Sequence, residues 1–174
     1  MNAIAEVAAA RAFLSLALLS SASVFAYPDA SPWGAANPAA DESCDSCHYD
    51  YEPVRDSDVI QLAGLPSAAS PGSAYEVSVR MAGRDAVICG FQLVATAGTF
   101  AVDGGALEAA ETAIRSTRAV ENDGVVEWTF SWRAPEQQHE NVEMFLAVSA
   151  ANDDQSPFGD TIHYRRFVVP MANP

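Results

Sequence analysis

Basic residues are scarce in this chain. Its 174 residues include no lysine and nine arginines against 23 acidic residues, for a formal net charge of −14 at pH 7. Nothing in such a sequence can neutralise a row of phosphates, which excludes nucleic acid as a partner and argues against an anionic membrane surface. The acidic excess reads first as solubility. Cysteine is also scarce, with three in all, fewer than the four thiolates an iron–sulfur cluster usually takes. There is no internal repeat, no phosphate-cradling glycine loop and no Ser/His/Asp order around a nucleophile elbow. These absences leave enzymology little to attach to, and the expectation is a protein that is not an enzyme. What the chain does have is apolar residues, 49% of the total, enough to build a real core and to exclude disorder.

The longest apolar run lies at the start. Ala12 to Ala26 is nearly uninterrupted, Arg11 precedes it, and Val24-Phe25-Ala26 satisfies the small-residue rule at a cleavage site. Residues 1–26 are therefore expected to be a signal peptide cleaved near Ala26, the alternative being an uncleaved anchor. The run is short for a spanning helix, and no later stretch is long enough to cross a bilayer. The mature chain is expected to be periplasmic or secreted, with no membrane span, in a compartment that permits disulfides and the attachment of c-type haem.

The motif with most chemical content is Cys44-Asp45-Ser46-Cys47-His48. Cys-x-x-Cys-His is the attachment signature of haem c. Two thiols one helical turn apart can bond the two vinyl groups of one porphyrin, and the following histidine is then held under the iron. On this reading Cys44 and Cys47 are the covalent anchors of a single haem and His48 is the proximal iron ligand. A structural disulfide is the main competitor, with Cys44–Cys47, Cys44–Cys89 and Cys47–Cys89 all open. A metal site is the third reading, and zinc is its weakest form because a closed site wants four ligands. Cys89 alternates in phase with Phe91 and Leu93, so it is expected to be a buried thiol. A low-spin haem needs a second axial ligand. His163 ranks first and Met81 second, ahead of His139, Met144 and Met171. An open sixth position would favour a small ligand over electron transfer.

The remainder divides into an Ala/Pro-rich linker or extended arm at 27–42, the haem-attachment segment at 43–57 and a β-sandwich domain at 58–174. Alternation with a period of two predicts strands over 73–81, 87–95, 126–132, 142–148 and 160–169, with weaker ones near 59–64, 99–102 and 112–120. Val87 is placed on the inward row with Cys89, and Gly90 marks a possible bulge. Residues 106–114 admit a short helical turn instead of a strand. Turn residues between the runs, with no helical blocks, predict an all-β, Ig-like antiparallel sandwich of about seven strands. Trp128, Phe130 and Trp132 are read as its core. Asn152-Asp153-Asp154-Gln155 with Asp160 is oxygen-rich enough to consider calcium, as are Asp56 and Asp58, although acidic loops are usually just solvated.

The order of landmarks resembles a known family. Cys44-Asp-Ser-Cys47-His48 is followed by Gly64-Leu65-Pro66, Pro71-Gly72-Ser73-Ala74-Tyr75-Glu76-Val77, Gly90-Phe91-Gln92-Leu93, Trp128-Thr-Phe130-Ser-Trp132-Arg-Ala134-Pro135, Ala150-Ala151-Asn152 and Gly159-Asp160-Thr-Ile. The succession is similar to bacterial secreted proteins with a Reeler-like domain, including those labelled choice-of-anchor V, many of which carry Cys-x-x-Cys-His at the start of the domain. The resemblance implies an Ig-like sandwich outside the cytoplasm and no settled activity. Two features depart from it. Thr117-Arg118 stands where relatives often show Thr-His, and no C-terminal sorting segment of the choice-of-anchor kind is expected. The expected function is an extracytoplasmic c-type haem-binding protein, serving electron transfer with a redox partner protein or haem-linked sensing. The alternative is a non-catalytic adhesion or recognition module whose cysteines are structural. Oligomeric state has no signature in the sequence.

Overall fold

A computed structural model describes residues 31–137 and 140–172, so the expected signal peptide lies outside the described residues. In chain order the elements are α1 (Cys44–Cys47), β1 (Ile60–Ala63), β2 (Ala74–Ala82), β3 (Ile88–Ala95), β4 (Thr99–Ala101), β5 (Leu107–Ala110), β6 (Ala113–Ser116), β7 (Val120–Glu121), β8 (Val125–Arg133), β9 (Asn141–Ala151) and β10 (Thr161–Pro170). One sheet runs β1-β2-β8-β4. The other runs β10-β9-β3-β6-β5, with β7 also paired to β3. Every ladder between these strands is antiparallel. No helix among the described residues is long and apolar enough to cross a membrane.

The alternation explains why two sheets form and face each other. Val77, Val79 and Met81 of β2 and Val126, Trp128, Phe130 and Trp132 of β8 point inward from one sheet. Cys89, Phe91 and Leu93 of β3 and Val142, Met144, Leu146 and Val148 of β9 meet them from the other. Phe91 lies between Trp128 and Phe130, with ring centroids 4.7 and 6.0 Å away. Each large apolar side chain buried this way contributes roughly 1.5–3 kcal/mol. Trp128 and Trp132 are core, as expected, although their indole N–H groups find no acceptor among the described residues. The turn before β2 requires glycine at Gly64, where φ is +86° and a Cβ would collide with the Glu76 carbonyl oxygen.

The all-β sandwich agrees with the expectation, and four details differ. Among the described residues ten strands stand where about seven were expected, because the chain between β3 and β8 folds into four short strands that pair with each other or along β3 and β8. Residues 107–116 form the β5–β6 hairpin and not a helical turn. Val87 is exposed, since Ala86 takes the buried position at the entry to β3. Gly90 is no bulge; it sits in the regular ladder opposite Ser149, and its missing side chain leaves room for the Ser116 hydroxyl, which accepts the Phe91 N–H.

The stretch expected as a linker is docked. Residues 31–42 lie in turns on the outer face of the six-stranded sheet, where Ala35 and Ala36 are buried. Gln92 points outward from β3 and is only 1% exposed. Its amide donates to the Ser31 hydroxyl and the Pro32 carbonyl, both at 2.8 Å, and its oxygen accepts the Ala36 N–H. Arg115 donates to the Ser31 carbonyl and stacks on Trp33 at 3.9 Å. Under this cover β9 is buried on both faces at Leu146, Ala147 and Val148. Gln92→Ala removes all three amide bonds at once. It is expected to lower stability by about 1–3 kcal/mol in urea unfolding and to speed proteolytic cutting within 31–42. An unchanged cleavage rate would show that the segment is held by something else.

Candidate functional site

The outer face of β10 receives the Cys-x-x-Cys-His segment at three alternate positions. Asp160 sits immediately before the strand, with Ile162 and Tyr164 at the next two outward positions. All three are buried. Cys44 packs against a small apolar cluster of Ala36, Ala147, Ile162 and Tyr164. The Tyr164 hydroxyl donates to the Asp45 carboxylate at 2.7 Å and accepts the Asp45 N–H at 3.2 Å. Arg55 pairs with the other Asp45 oxygen at 3.5 Å and lies over the Tyr164 ring. Burial alone would raise the Asp45 carboxyl, but hydrogen bonds from Ser43 and Tyr164 and the charge of Arg55 hold it below its usual range. Burial pushes the Tyr164 phenol far up, so it remains a donor.

A four-residue helix has no stability of its own, and α1 survives on these contacts. The Cys44 N–H donates to the Ala35 carbonyl and the His48 N–H closes the turn on the Cys44 carbonyl. At its end, His48 Nδ1 lies 2.7 Å from Asp160 Oδ2. A carboxylate oxygen accepts, so in this hydrogen bond Nδ1 is the donor and Nε2 is the ring nitrogen left over. The second Asp160 oxygen accepts the Asn152 N–H. A second latch lies beside it, from the Gly159 N–H to the Asp50 carboxylate. Tyr49 and Phe158 meet edge to face at 5.8 Å, and both are about half exposed together with Tyr51.

The three residues of the motif fit a covalent haem in different degrees. His48 fits directly, with Nε2 engaged in no hydrogen bond among the described residues. Cys44 and Cys47 are both unpaired thiols. Cys44 is turned into the sheet face, and burial pushes its thiol up to about 12, with Asp45 adding to the shift and the Tyr164 hydroxyl opposing it. Because the thiolate is the reactive form, this sulfur would have to be modified before the segment docks.

The proposed distal ligands lie elsewhere. His163 is the residue between Ile162 and Tyr164, so it points to the opposite face of β10. There its Nδ1 meets the Ser57 hydroxyl at 2.9 Å, and burial lowers its pKa, with Asp85 opposing. Met81 projects from β2 into the sandwich interior, where the Cys89 thiol donates to its sulfur at 3.5 Å. Both line a cleft on the far side of the six-stranded sheet from His48. The fold brings Cys44, Cys47 and His48 together and keeps His163 and Met81 away from them. Met144 is fully buried in the core and Met171 packs at its margin, while His139 lies outside the described residues.

Cys89 is buried in the interior, as expected, and its thiol is pushed up to about 11 by burial. The sheet stands between it and Cys44, so neither Cys44–Cys89 nor Cys47–Cys89 can close without unfolding. Among the described residues no group of three or more His, Cys, Asp or Glu is placed to hold a metal ion. The acidic loop uses its oxygens on itself. Asp154 accepts from Ser156 and Asn152, and Asn152 donates to the Phe158 carbonyl. Asp160, singled out in the sequence only as a candidate calcium ligand, instead meets His48 across 112 positions.

No family model matches the chain, and no curated protein matches it in sequence. Among solved structures it is similar to the human F-spondin reeler domain, at 18% identity and a TM-score of 0.49, over 69% of this chain and 95% of that one. A second F-spondin Reelin-N structure gives 18% and 0.48, over 70% and 93%. A cohesin module from a Clostridium perfringens family 33 glycoside hydrolase gives 12% and 0.46, over 68% and 100%.

The thiols should differ sharply in reactivity. In the native haem-free protein at about pH 8, Cys47 is expected to react first with a thiol reagent, while Cys44 and Cys89 react only on unfolding. Raising the pH should not bring Cys44 forward until it approaches the range of its raised pKa. Tyr164→Phe, which removes the hydroxyl that opposes the rise of the Cys44 thiol, should not bring Cys44 forward in the folded protein. Equal rates for all three thiols in the folded protein would contradict the docked arrangement.

Proposed function

We propose that this chain is an extracytoplasmic, non-catalytic β-sandwich protein carrying one haem c on Cys44 and Cys47, with His48 as proximal ligand. One observation carries the reading: directly after two unpaired thiols, a histidine has one ring nitrogen committed to a buried carboxylate and the other left available. That is the arrangement by which carboxylates orient metal-binding histidines. The haem would supply an iron able to exchange one electron or bind a small ligand. The chain's own residues do the rest. Cys44 and Cys47 tether, His48 ligates, Asp160 orients it, and Tyr49, Tyr51 and Phe158 offer apolar surface beside it.

Of the two roles, sensing of a small ligand is favoured over electron transfer with a partner protein. An electron carrier keeps the same two axial ligands in both states, and the two residues expected across the iron, His163 and Met81, are engaged on the other side of the sheet. A second reading rests on Cys44, whose packing with Ala36, Ala147, Ile162 and Tyr164 is that of a structural apolar residue. On that reading the chain is a recognition or adhesion module.

Absorption spectroscopy of protein secreted from a host with haem-attachment machinery separates them. The haem reading expects a Soret band and a reduced spectrum that persist after acid–organic extraction. His48→Ala should perturb the iron spectrum with haem retained, and His163→Ala should leave it unchanged. The double variant Cys44→Ala/Cys47→Ala should lose covalent haem. A colourless wild-type product favours the structural reading.

A further inference from the structure

We propose that Asp160 is the positioning residue for His48: its carboxylate fixes the ring as the Nδ1–H form, aims Nε2 outward, and lends the imidazole anionic character as an iron ligand. The inference rests on the haem reading for its last clause only. The geometry is direct, since Nδ1 and Oδ2 are 2.7 Å apart and Asp160 is 2% exposed. A charge-assisted bond in so buried a setting is strong and directional.

Asp160 is itself held in place, and this gives the acidic loop after β9 a role other than cation binding. Its Oδ1 accepts the Asn152 N–H at 3.2 Å. The Asn152 side chain is fixed in turn by Asp154 and by the Phe158 carbonyl. Gly159 permits the approach, because at φ +83° a Cβ would come within 2.5 Å of the Asn152 amide. The loop thus ends in a carboxylate aimed at one imidazole, and Asp50 latches the loop to the same segment through Gly159. Such outer partners set the tautomer and raise the basicity of a ligating histidine. A more basic proximal ligand stabilises the ferric state over the ferrous one.

Two measurements test this. The first uses haem-free protein and long-range ¹H–¹⁵N correlation on His48 at about pH 9, above the ordinary histidine range. Wild type should show the Nδ1–H form alone, and Asp160→Asn should shift towards the Nε2–H form that free histidine prefers. The second compares the reduction potentials of haem-loaded proteins. Asp160→Asn should lie above wild type, while Glu143→Gln, which removes a carboxylate from an exposed ion pair with Arg166 outside the site, should match wild type in both measurements. An Nε2–H form in wild type overturns the proposal, and that result does not depend on any variant folding. Equal potentials for wild type and Asp160→Asn also overturn it, as does an equal shift with Glu143→Gln. A wild-type protein that never acquires haem sinks the functional reading, and the tautomer measurement then still decides whether Asp160 positions His48.

Discussion

The contact between the Cys-x-x-Cys-His segment and the outer face of β10 constrains the arrangement of everything near it. A single helical turn cannot persist alone in water, so the spacing of Cys44, Cys47 and His48 is maintained by what the turn rests on. Tyr164 takes one end through Asp45, Asp160 takes the other through His48, and Ile162 lies between them beneath Cys44. These three receivers stand at two-residue spacing on one strand, which makes the sheet a ruler for the motif.

The sandwich makes that ruler rigid. β10 pairs along its length with β9, which pairs in turn with β3. Its other edge is covered where Val54 and Ser57 bond to the backbone of Ile162 and Tyr164, so the strand presents no open ladder at the site. Arg165, pointing the other way, donates to the Ser57 and Ile60 carbonyls and ties this edge to the opposite sheet. Asp160, the partner of His48, is therefore held by β10 on one side and by an internally bonded loop on the other.

Much of the fold was legible because burial imposes a period of two wherever one face of a strand is dry. Val77, Val79 and Met81, or Trp128, Phe130 and Trp132, can be assigned to the interior from their spacing alone. Legibility failed where both faces are covered. Phe145 and Ala147 interrupt the polar row of β9, and the interruption is the trace of the arm packed over it. Gln92 gave no warning, since a buried glutamine looks like a solvated one until its three partners are known. His163 misled for a related reason. Its identity suits iron, but parity with Ile162 and Tyr164 sends it to the opposite face. The motif showed which residues could do chemistry. It could not show Asp160, because pairing across more than a hundred residues is a property of the sheet and not of local spacing.

The central claim is that Cys44 and Cys47 carry a haem by covalent bonds, and the intact mass of the secreted, denatured protein tests it most directly. The account predicts one species heavier than the polypeptide by a single haem, with the added mass on the peptide containing Cys44 to His48. A species with the bare polypeptide mass, or one lighter by two hydrogens because Cys44 and Cys47 have joined as a disulfide, would contradict it.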